Sequence, residues 1–282
     1  MQNIAYYNGE IGAIEELRVP MTDRGFYFGD GIYDVAYARN HRIYALDEHI
    51  DRFYRCIGQV DINEPMPREQ LKALLESLSA RVDDGEQLIY WQGTRGSGLR
   101  LHTYDEDDAP CNLTVMIRPA KIRDTYAPIK LISAEDKRFL YCNIKTICLL
   151  PSVLTSQMAK RAGVDETVLH RGERVTECSH SNVSILKDGR FITAPTDEYI
   201  LPGIGRAHLL AACHALGIPT EERIYTMDEL RDADEIIVSS ASSLCLAACE
   251  LDGQPVGGKD RTTLRRLQDH LVNDWLTKTE NE

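Results

Sequence analysis

No apolar run in this chain approaches the roughly 18 residues that a membrane-spanning helix needs. Met1 to Gly12 has no basic stretch followed by an apolar one, so neither a spanning segment nor a secretory leader is expected. Surplus positive charge is missing too. The formal net charge is −12, which argues against general nucleic-acid binding because a phosphate backbone would be repelled, yet it leaves room for a local basic pocket that takes a small anion. No GxGxxG follows a strand-like run, FGDGIYD has its glycines at the wrong spacing, and no Walker A pattern occurs, so those phosphate cradles are excluded. None of the eight cysteines falls into zinc-ligand spacing backed by histidine. They lie mostly inside apolar segments such as ICLL, LLAACHAL and LCLAACE, and read as reduced core residues of a cytoplasmic protein with neither metal nor disulfide framework. Internal repeats and low-complexity tracts are absent.

What is present is a globular balance. Of 282 residues, 43% are hydrophobic and 27% charged, enough for one large domain or two of ordinary size. Asn8-Gly9 between short strand-like runs signals a hairpin. Asp47 is placed to cap a helix with Ile50, Phe53, Tyr54 and Ile57 on one face. A second helix follows Pro65 and Pro67, with Leu71, Leu74, Leu75 and Leu78 as its stripe. Strands at about 87–93 and 112–118 flank a long polar loop from Thr94 to Pro110, and long loops in compact domains are often functional. The charged stretch 120–128 reads as a linker, dividing an N-terminal domain, 1–119, from a C-terminal domain, 129–282. In the latter, strands alternate with helices near 151–162, after Gly203-Ile204-Gly205 with Gly217 as stop, and near 262–276. Without a strict βαβ rhythm, the chain reads as two α/β domains rather than one doubly wound sheet.

Four clusters carry candidate chemistry. Lys145 in CNIKTICLL shares an alternate face with Ile147 and Leu149, and on a buried strand face its ammonium would be desolvated and its amine freed as nucleophile or base. An outward lysine breaking up a sheet face fits the same pattern; Lys130 has similar neighbours, and Lys187 sits at the Asp188-Gly189 turn. Glu177 in RVTECSHSNV is a functional carboxylate or a solvated one. Pro202-Gly203-Ile204-Gly205 opens a helix, which makes an anion site or an ordinary junction. The hydroxyls from Ser239 to Ser243 would hold a phosphate or form a serine-rich turn. A buried lysine, a carboxylate and a phosphate cradle are together the parts of a pyridoxal phosphate enzyme.

DRGFYFGDGIYDV, DEHIDRFYR, YWQGTRGSGLRLH, CNIKTICLL, VLHRGERVTECSHSNVSILKDG and ILPGIGR occur in the order and at about the spacing of the fold-type IV pyridoxal phosphate enzymes. Over nearly its full length the chain resembles that family, and within it most resembles the bacterial D-amino-acid aminotransferases. The resemblance implies a two-domain α/β (α+β) fold, with a small N-terminal domain and a larger C-terminal pseudo-barrel. It implies that Lys145 is the Schiff-base lysine and that Glu177 faces the pyridine nitrogen of pyridoxal 5′-phosphate. Arg52, with the backbone of Ile204 and Gly205 and with Ser240, would bind the cofactor phosphate, and Leu201 would pack on the ring. Tyr33, Arg100 and His102 would hold the substrate α-carboxylate, the last two reaching in from the other subunit of a homodimer whose active sites lie at the subunit interface. A guanidinium suits that task because its two-pronged grip fixes a carboxylate's direction. The implied activity is ping-pong transfer of the amino group of a D-amino acid to a 2-oxo acid, 2-oxoglutarate or pyruvate. Rivals on the same scaffold are a branched-chain L-amino-acid aminotransferase and an aminodeoxychorismate lyase-type enzyme. Gly205 and Ala241 stand where relatives often carry a hydroxyl, so looser phosphate binding is expected, at about 1 kcal/mol per lost bond, with Ser240, Ser242 and Ser243 as compensation.

Overall fold

The computed structural model describes residues 1–104 and 110–280; the stretch 105–109 of the expected long loop lies outside the described residues. The chain forms two compact units. One comprises Met1–Lys121 and Ile144–Cys148, with the end of the chain from Thr277 onward; the other comprises Ile122–Asn143 and Leu149–Leu276. Among the described residues no helix is long and apolar enough to cross a membrane.

The first unit contains β1 (Ile4–Tyr7), β2 (Glu10–Gly12), the short α1 (Arg24–Phe28), β3 (Gly31–Arg39), β4 (Arg42–Ile43), α2 (Leu46–Gln59), α3 (Arg68–Ser79), β5 (Gln87–Thr94) and β6 (Asn112–Pro119). Asn8 and Gly9 have φ of 45° and 102°, the left-handed turn that the Asn-Gly pair predicts. The strands make one antiparallel sheet in the order β2-β1-β6-β5-β3-β4. Helix α2 buries Ile50, Phe53, Tyr54 and Ile57, and α3 buries Leu71, Leu75 and Leu78. They share a core with Trp91, Ile89, Ile32 and Val115, where truncating an aromatic such as Phe53 to alanine would cost about 3–5 kcal/mol. Asp47 is not the cap of α2. The chain passes from β4 almost directly into the helix, with Ala45 absorbing the turn at φ 54°. Asp47 therefore falls in the first turn, where its carboxylate meets Lys72 Nζ at 2.6 Å.

The second unit contains β7 (Ile129–Glu135), α4 (Leu150–Ala162), β8 (Glu166–Arg171), β9 (Arg174–Cys178), β10 (Asn182–Lys187), β11 (Arg190–Thr193), α5 (Ile204–Leu216), β12 (Thr220–Glu222), α6 (Met227–Asp232), β13 (Glu235–Ser240), β14 (Ser243–Leu251), β15 (Gln254–Pro255) and α7 (Arg261–Lys278), the last running past Leu276. Its mixed sheet runs β12-β11-β10-β13-β14-β7-β8-β9, with β15 on β14. Strands β7 and β8 are parallel, and α4 joins them, the connection a parallel pair requires. Helix α5 ends at Gly217, φ 69°, whose N–H returns to Cys213 and His214 carbonyls, as its sequence position predicts. The architecture is mixed α/β with two sheets, as in fold-type IV enzymes.

Candidate active site

Lys145 does not lie on a strand. Cys142 and Asn143 form a turn, Ile144 a bend, and Thr146 makes a lone antiparallel bridge to Ile32. Ile144 is buried in the core of the first unit, and the segment is tied to the start of β3: the Tyr33 N–H donates to the Lys145 carbonyl and the Ile147 N–H to the Gly31 carbonyl, both at 3.0 Å. The edge of β3 that β4 leaves open is filled here by three residues too irregular to count as a strand. Lys145 itself is half-buried and Leu149 is exposed, so the expected apolar face does not form. The lysines nevertheless differ. Lys130 pairs with Glu250 at 2.9 Å and Lys187 with Asp232 at 2.8 Å. The Lys145 ammonium instead lies over the Tyr33 ring, 4.3 Å from its centre, and that ring is stacked on Tyr90.

Asp34 alternates with Tyr33 on β3 and points into the core. There it accepts Arg52 Nε and Nη2 at 2.8 and 2.6 Å, and His49 Nδ1 at 2.7 Å. Burial raises the Asp34 carboxyl, but the Arg52 charge and then His49 outweigh it and hold it well below the usual carboxylate range. Burial also lowers His49, against the pull of Asp34. The Arg52 fork is thereby fixed, and Nη1 is the nitrogen not committed to Asp34.

Arg100 and His102 lie on the loop after β5. The Arg100 guanidinium sits 5.2 Å from the centre of the Phe28 ring, and the His102 ring 5.2 Å from the same centre. Arg24 shapes this loop by donating to the Leu101 carbonyl at 2.8 Å while pairing with Asp30 at 2.8 Å. Leu99 and Leu101, the neighbours of Arg100, are 79% and 57% exposed.

In the second unit Glu177, on β9, is buried and receives three donors. Arg138 Nη1 contacts Oε1, and Oε2 accepts Asn182 Nδ2 at 2.8 Å and the Leu201 N–H at 3.2 Å. Burial raises its carboxyl, and Arg138 and the Leu201 N–H only partly offset this, leaving it at about 7. Asn182 also donates to the Leu201 carbonyl at 3.0 Å, and a Cβ at Gly203 would collide with its Oδ1. Glu177, Leu201 and the start of α5 are thus one hydrogen-bonded assembly. Sequence reasoning passed over Arg138, which stands in a charged Asp-Lys-Arg run that reads as solvated, and Asn182, which lies inside the RVTECSHSNV stretch without being singled out.

Gly203 caps α5 without a side-chain bond. Ala207 is the first residue whose N–H turns back to Gly203, so the N–H groups of Ile204, Gly205 and Arg206 precede the helical ladder. Beside them, Ser239 Oγ is buried and has no partner. A Cβ on Gly205 would come within 3.2 Å of the Ser240 backbone N and O, so glycine is what lets α5 approach β13 this closely. The Ser240, Ser242 and Ser243 hydroxyls form a chain at 3.2 and 3.4 Å. Uncommitted helix N–H groups next to an orphaned buried hydroxyl suit a phosphate, and a buried carboxylate held by three donors suits a pyridine nitrogen. The residues fit pyridoxal phosphate. Among the described residues no cluster of His, Cys, Asp and Glu is arranged for a metal ion.

The model of the class IV aminotransferases matches residues 31–251. The D-alanine aminotransferase of Listeria monocytogenes is 36% identical over 95% of this chain and 94% of its own length. That of Bacillus licheniformis is 34% identical over 97% of each. Among solved structures, the branched-chain aminotransferase of the thermophilic archaeon Thermoproteus uzoniensis, with norvaline, superposes with a TM-score of 0.88 at 21% identity, covering 98% of this chain and 96% of that one. At that identity it speaks for the fold.

Proposed function

We propose that this chain, which belongs to the class IV aminotransferases and so is a pyridoxal phosphate-dependent transaminase, transfers the amino group of D-amino acids to a 2-oxo acid, 2-oxoglutarate or pyruvate, in ping-pong order. The observation that carries the D-selective reading is the pairing of Arg100 and His102 on the Phe28 ring. It holds a guanidinium and an imidazole together on a loop otherwise faced with exposed leucines, in a chain about a third identical to D-alanine aminotransferases.

When bound, the cofactor supplies an electron sink for the carbanion left at the substrate Cα. Lys145 Nζ would hold it covalently and, as a free amine, would take the proton from the substrate Cα and return one. Tyr33 would position the Lys145 side chain through its ring face whenever that side chain is protonated. Glu177 is assigned to the ring nitrogen, Leu201 to the ring face, and Arg52, Ile204, Gly205 and Ser240 to the phosphate. Arg100 and His102 grip the substrate carboxylate. Exposed Leu99, Leu101 and Phe26, the last at 72%, are side chains a second subunit would cover, which supports a homodimer lending this loop to its partner's site. Eight unpaired cysteines support a reducing, cytoplasmic setting.

The test is a half-reaction screen that follows the cofactor absorbance with D- and L-amino acids separately. The proposal expects conversion by D-amino acids and its loss in Lys145→Ala. Arg100→Ala should raise KM for D-amino acids at least tenfold with cofactor content unchanged. Preferential conversion by branched-chain L-amino acids would overturn the stereochemical assignment. Pyruvate release from aminodeoxychorismate without amino transfer would favour the lyase.

A further inference from the structure

Asp136 follows β7, and its side chain is fully buried, yet it reaches none of the residues assigned above. Five donors converge on it. Arg138 supplies its backbone N–H at 3.0 Å, Nε at 2.9 Å and Nη2 at 2.8 Å; Arg171 Nε lies at 3.3 Å and Thr176 Oγ1 at 3.0 Å. The guanidinium of Arg138 is therefore gripped along its Nε–Nη2 edge. Nη2 also donates to the Tyr199 carbonyl at 3.0 Å, and Arg171 Nη2 donates to the Arg138 carbonyl at 2.8 Å. Only Nη1 projects from this clamp, and it meets Glu177 Oε1. A long side chain with several rotatable bonds has been reduced to one position and one free edge.

We propose that Asp136 is a positioning residue for Glu177: acting through Arg138, it presses a fixed positive charge against the carboxylate and favours its ionised form for the group it faces. The proposal rests on the reading that Glu177 faces the cofactor ring nitrogen. A carboxylate that lost its proton only reluctantly would be a poor partner for a protonated ring, so the clamp sets how well the site supports its chemistry.

Two opposed effects must be weighed. Asp136 carries a negative charge of its own, which repels that of Glu177 and raises its carboxyl. Arg138, in direct contact, lowers it, and this attraction is the larger of the two. Arg138 remains protonated because Glu177 and Asp136 offset the cost of its burial. Asp136 itself stays ionised, its burial outweighed by Arg138 and Arg171. Among the described residues, the other titratable groups that interact with Glu177 are the Cys142 and Cys178 thiols. Burial pushes Cys142 up to about 11 and Cys178 well above its ordinary value, so neither carries charge between pH 5 and 9. Asn182 and the Leu201 N–H donate without titrating. The charge set is therefore Asp136, Arg138, Arg171 and Glu177, two of each sign.

The opposed effects give the test a sign. If Asp136 acted only as a nearby negative charge, neutralising it would make Glu177 easier to ionise. If it positions Arg138, neutralising it frees the guanidinium and makes Glu177 harder to ionise. The experiment is a pH titration of the protonated Glu177 carboxyl by infrared difference spectroscopy on the full chain freed of cofactor, the band being identified by its loss in Glu177→Gln. The wild-type midpoint is expected near pH 7. Asp136→Asn should move it upward by at least one pH unit, a tenfold change in proton affinity. Arg138→Met should move it further, and adding Asp136→Asn to Arg138→Met should move it no higher and partly back down, because only the repulsion from Asp136 is then removed. A midpoint that stays put or falls in Asp136→Asn overturns the proposal. Should that variant not fold, Arg138→Lys asks the same question. It keeps the charge but cannot be held by a fork, so an upward shift supports the clamp and a wild-type midpoint overturns it. Adding pyridoxal phosphate to the wild-type chain checks the underlying reading separately. An unperturbed Glu177 band would remove Glu177 from the cofactor while leaving the Asp136 result standing.

Discussion

The Lys145 ammonium lies 4.3 Å from the centre of the Tyr33 ring, while the Tyr33 N–H donates to the Lys145 carbonyl at 3.0 Å. Backbone and side chain of one residue thus locate backbone and side chain of the other. The ring face, rather than the phenol, holds the cation, at about 1 kcal/mol. Tyr33→Phe should therefore keep cofactor capture on Lys145 within about twofold of wild type, and Tyr33→Leu, which removes a contact that favours the protonated form over the attacking free amine, should raise it roughly fivefold. Borohydride trapping followed by mass spectrometry measures both. Equal capture in the two variants would dismiss the ring contact.

Glu177 should leave a mark on stability as a function of pH. Its carboxyl is raised from 4.5 to about 7 by burial, so between those values the folded chain holds a proton that the unfolded chain has released. Stability then falls as pH rises through that window and levels off above it, by about 3 kcal/mol in all. Glu177→Gln lacks this slope. Whatever constant offset the substitution carries, the difference in unfolding free energy should shift by about 3 kcal/mol towards the glutamine variant between pH 4 and pH 8, read from urea titrations of the cofactor-free chain. A parallel pair of pH curves would show that the raised value is absent.

Asp34 behaves in the opposite sense. Its carboxyl is depressed, so its contribution is fully present above its ordinary value of 3.8 and is lost only as pH falls through the lower folded-state value. Asp34→Asn leaves Arg52 buried without its counter-charge and should cost about 3–5 kcal/mol. That deficit should not shrink between pH 8 and pH 5, where His49 without the pull of Asp34 can only widen it, and should shrink only in strong acid. Cofactor affinity should fall with it, because the Arg52 fork loses its anchor.

Gly203 is required by its neighbour rather than by its φ, which is −72°. Because a Cβ there would strike Asn182 Oδ1, Gly203→Ala should destabilise the chain by about 1–3 kcal/mol. Most of that cost should disappear in the Asn182→Ala background, a coupling that a double-mutant cycle measures. Purely additive effects would mean that the helix start yields elsewhere.

Local features were legible because local physics produces them. Asn8-Gly9 makes its hairpin, α2 buries the four residues its periodicity marks, and α5 begins and ends at its glycines. The candidate residues were legible through the family resemblance, since CNIKTICLL by its own pattern points to a buried strand face that the fold does not build. Gly205 looked like a missing hydroxyl. In the structure it is the residue on which a Cβ would lie only 3.2 Å from the Ser240 backbone N and O.

The tertiary structure alone decided three things. It joined Ile144–Cys148 to the first unit, across the intervening strand β7, because Ile144 is buried in that core and the edge of β3 has open hydrogen-bonding groups to fill. It bound Arg52 to Asp34, 18 residues away. It also turned the polar run Asp136-Lys137-Arg138 into a buried clamp on Glu177, 39 residues beyond Arg138. Propensity and periodicity act over a few neighbouring residues, which is why sequence determined the Asn8-Gly9 turn, the glycine stop of α5 and the helix faces. A buried charge is tolerable only where a distant partner meets it, and that meeting is set by which strands lie side by side.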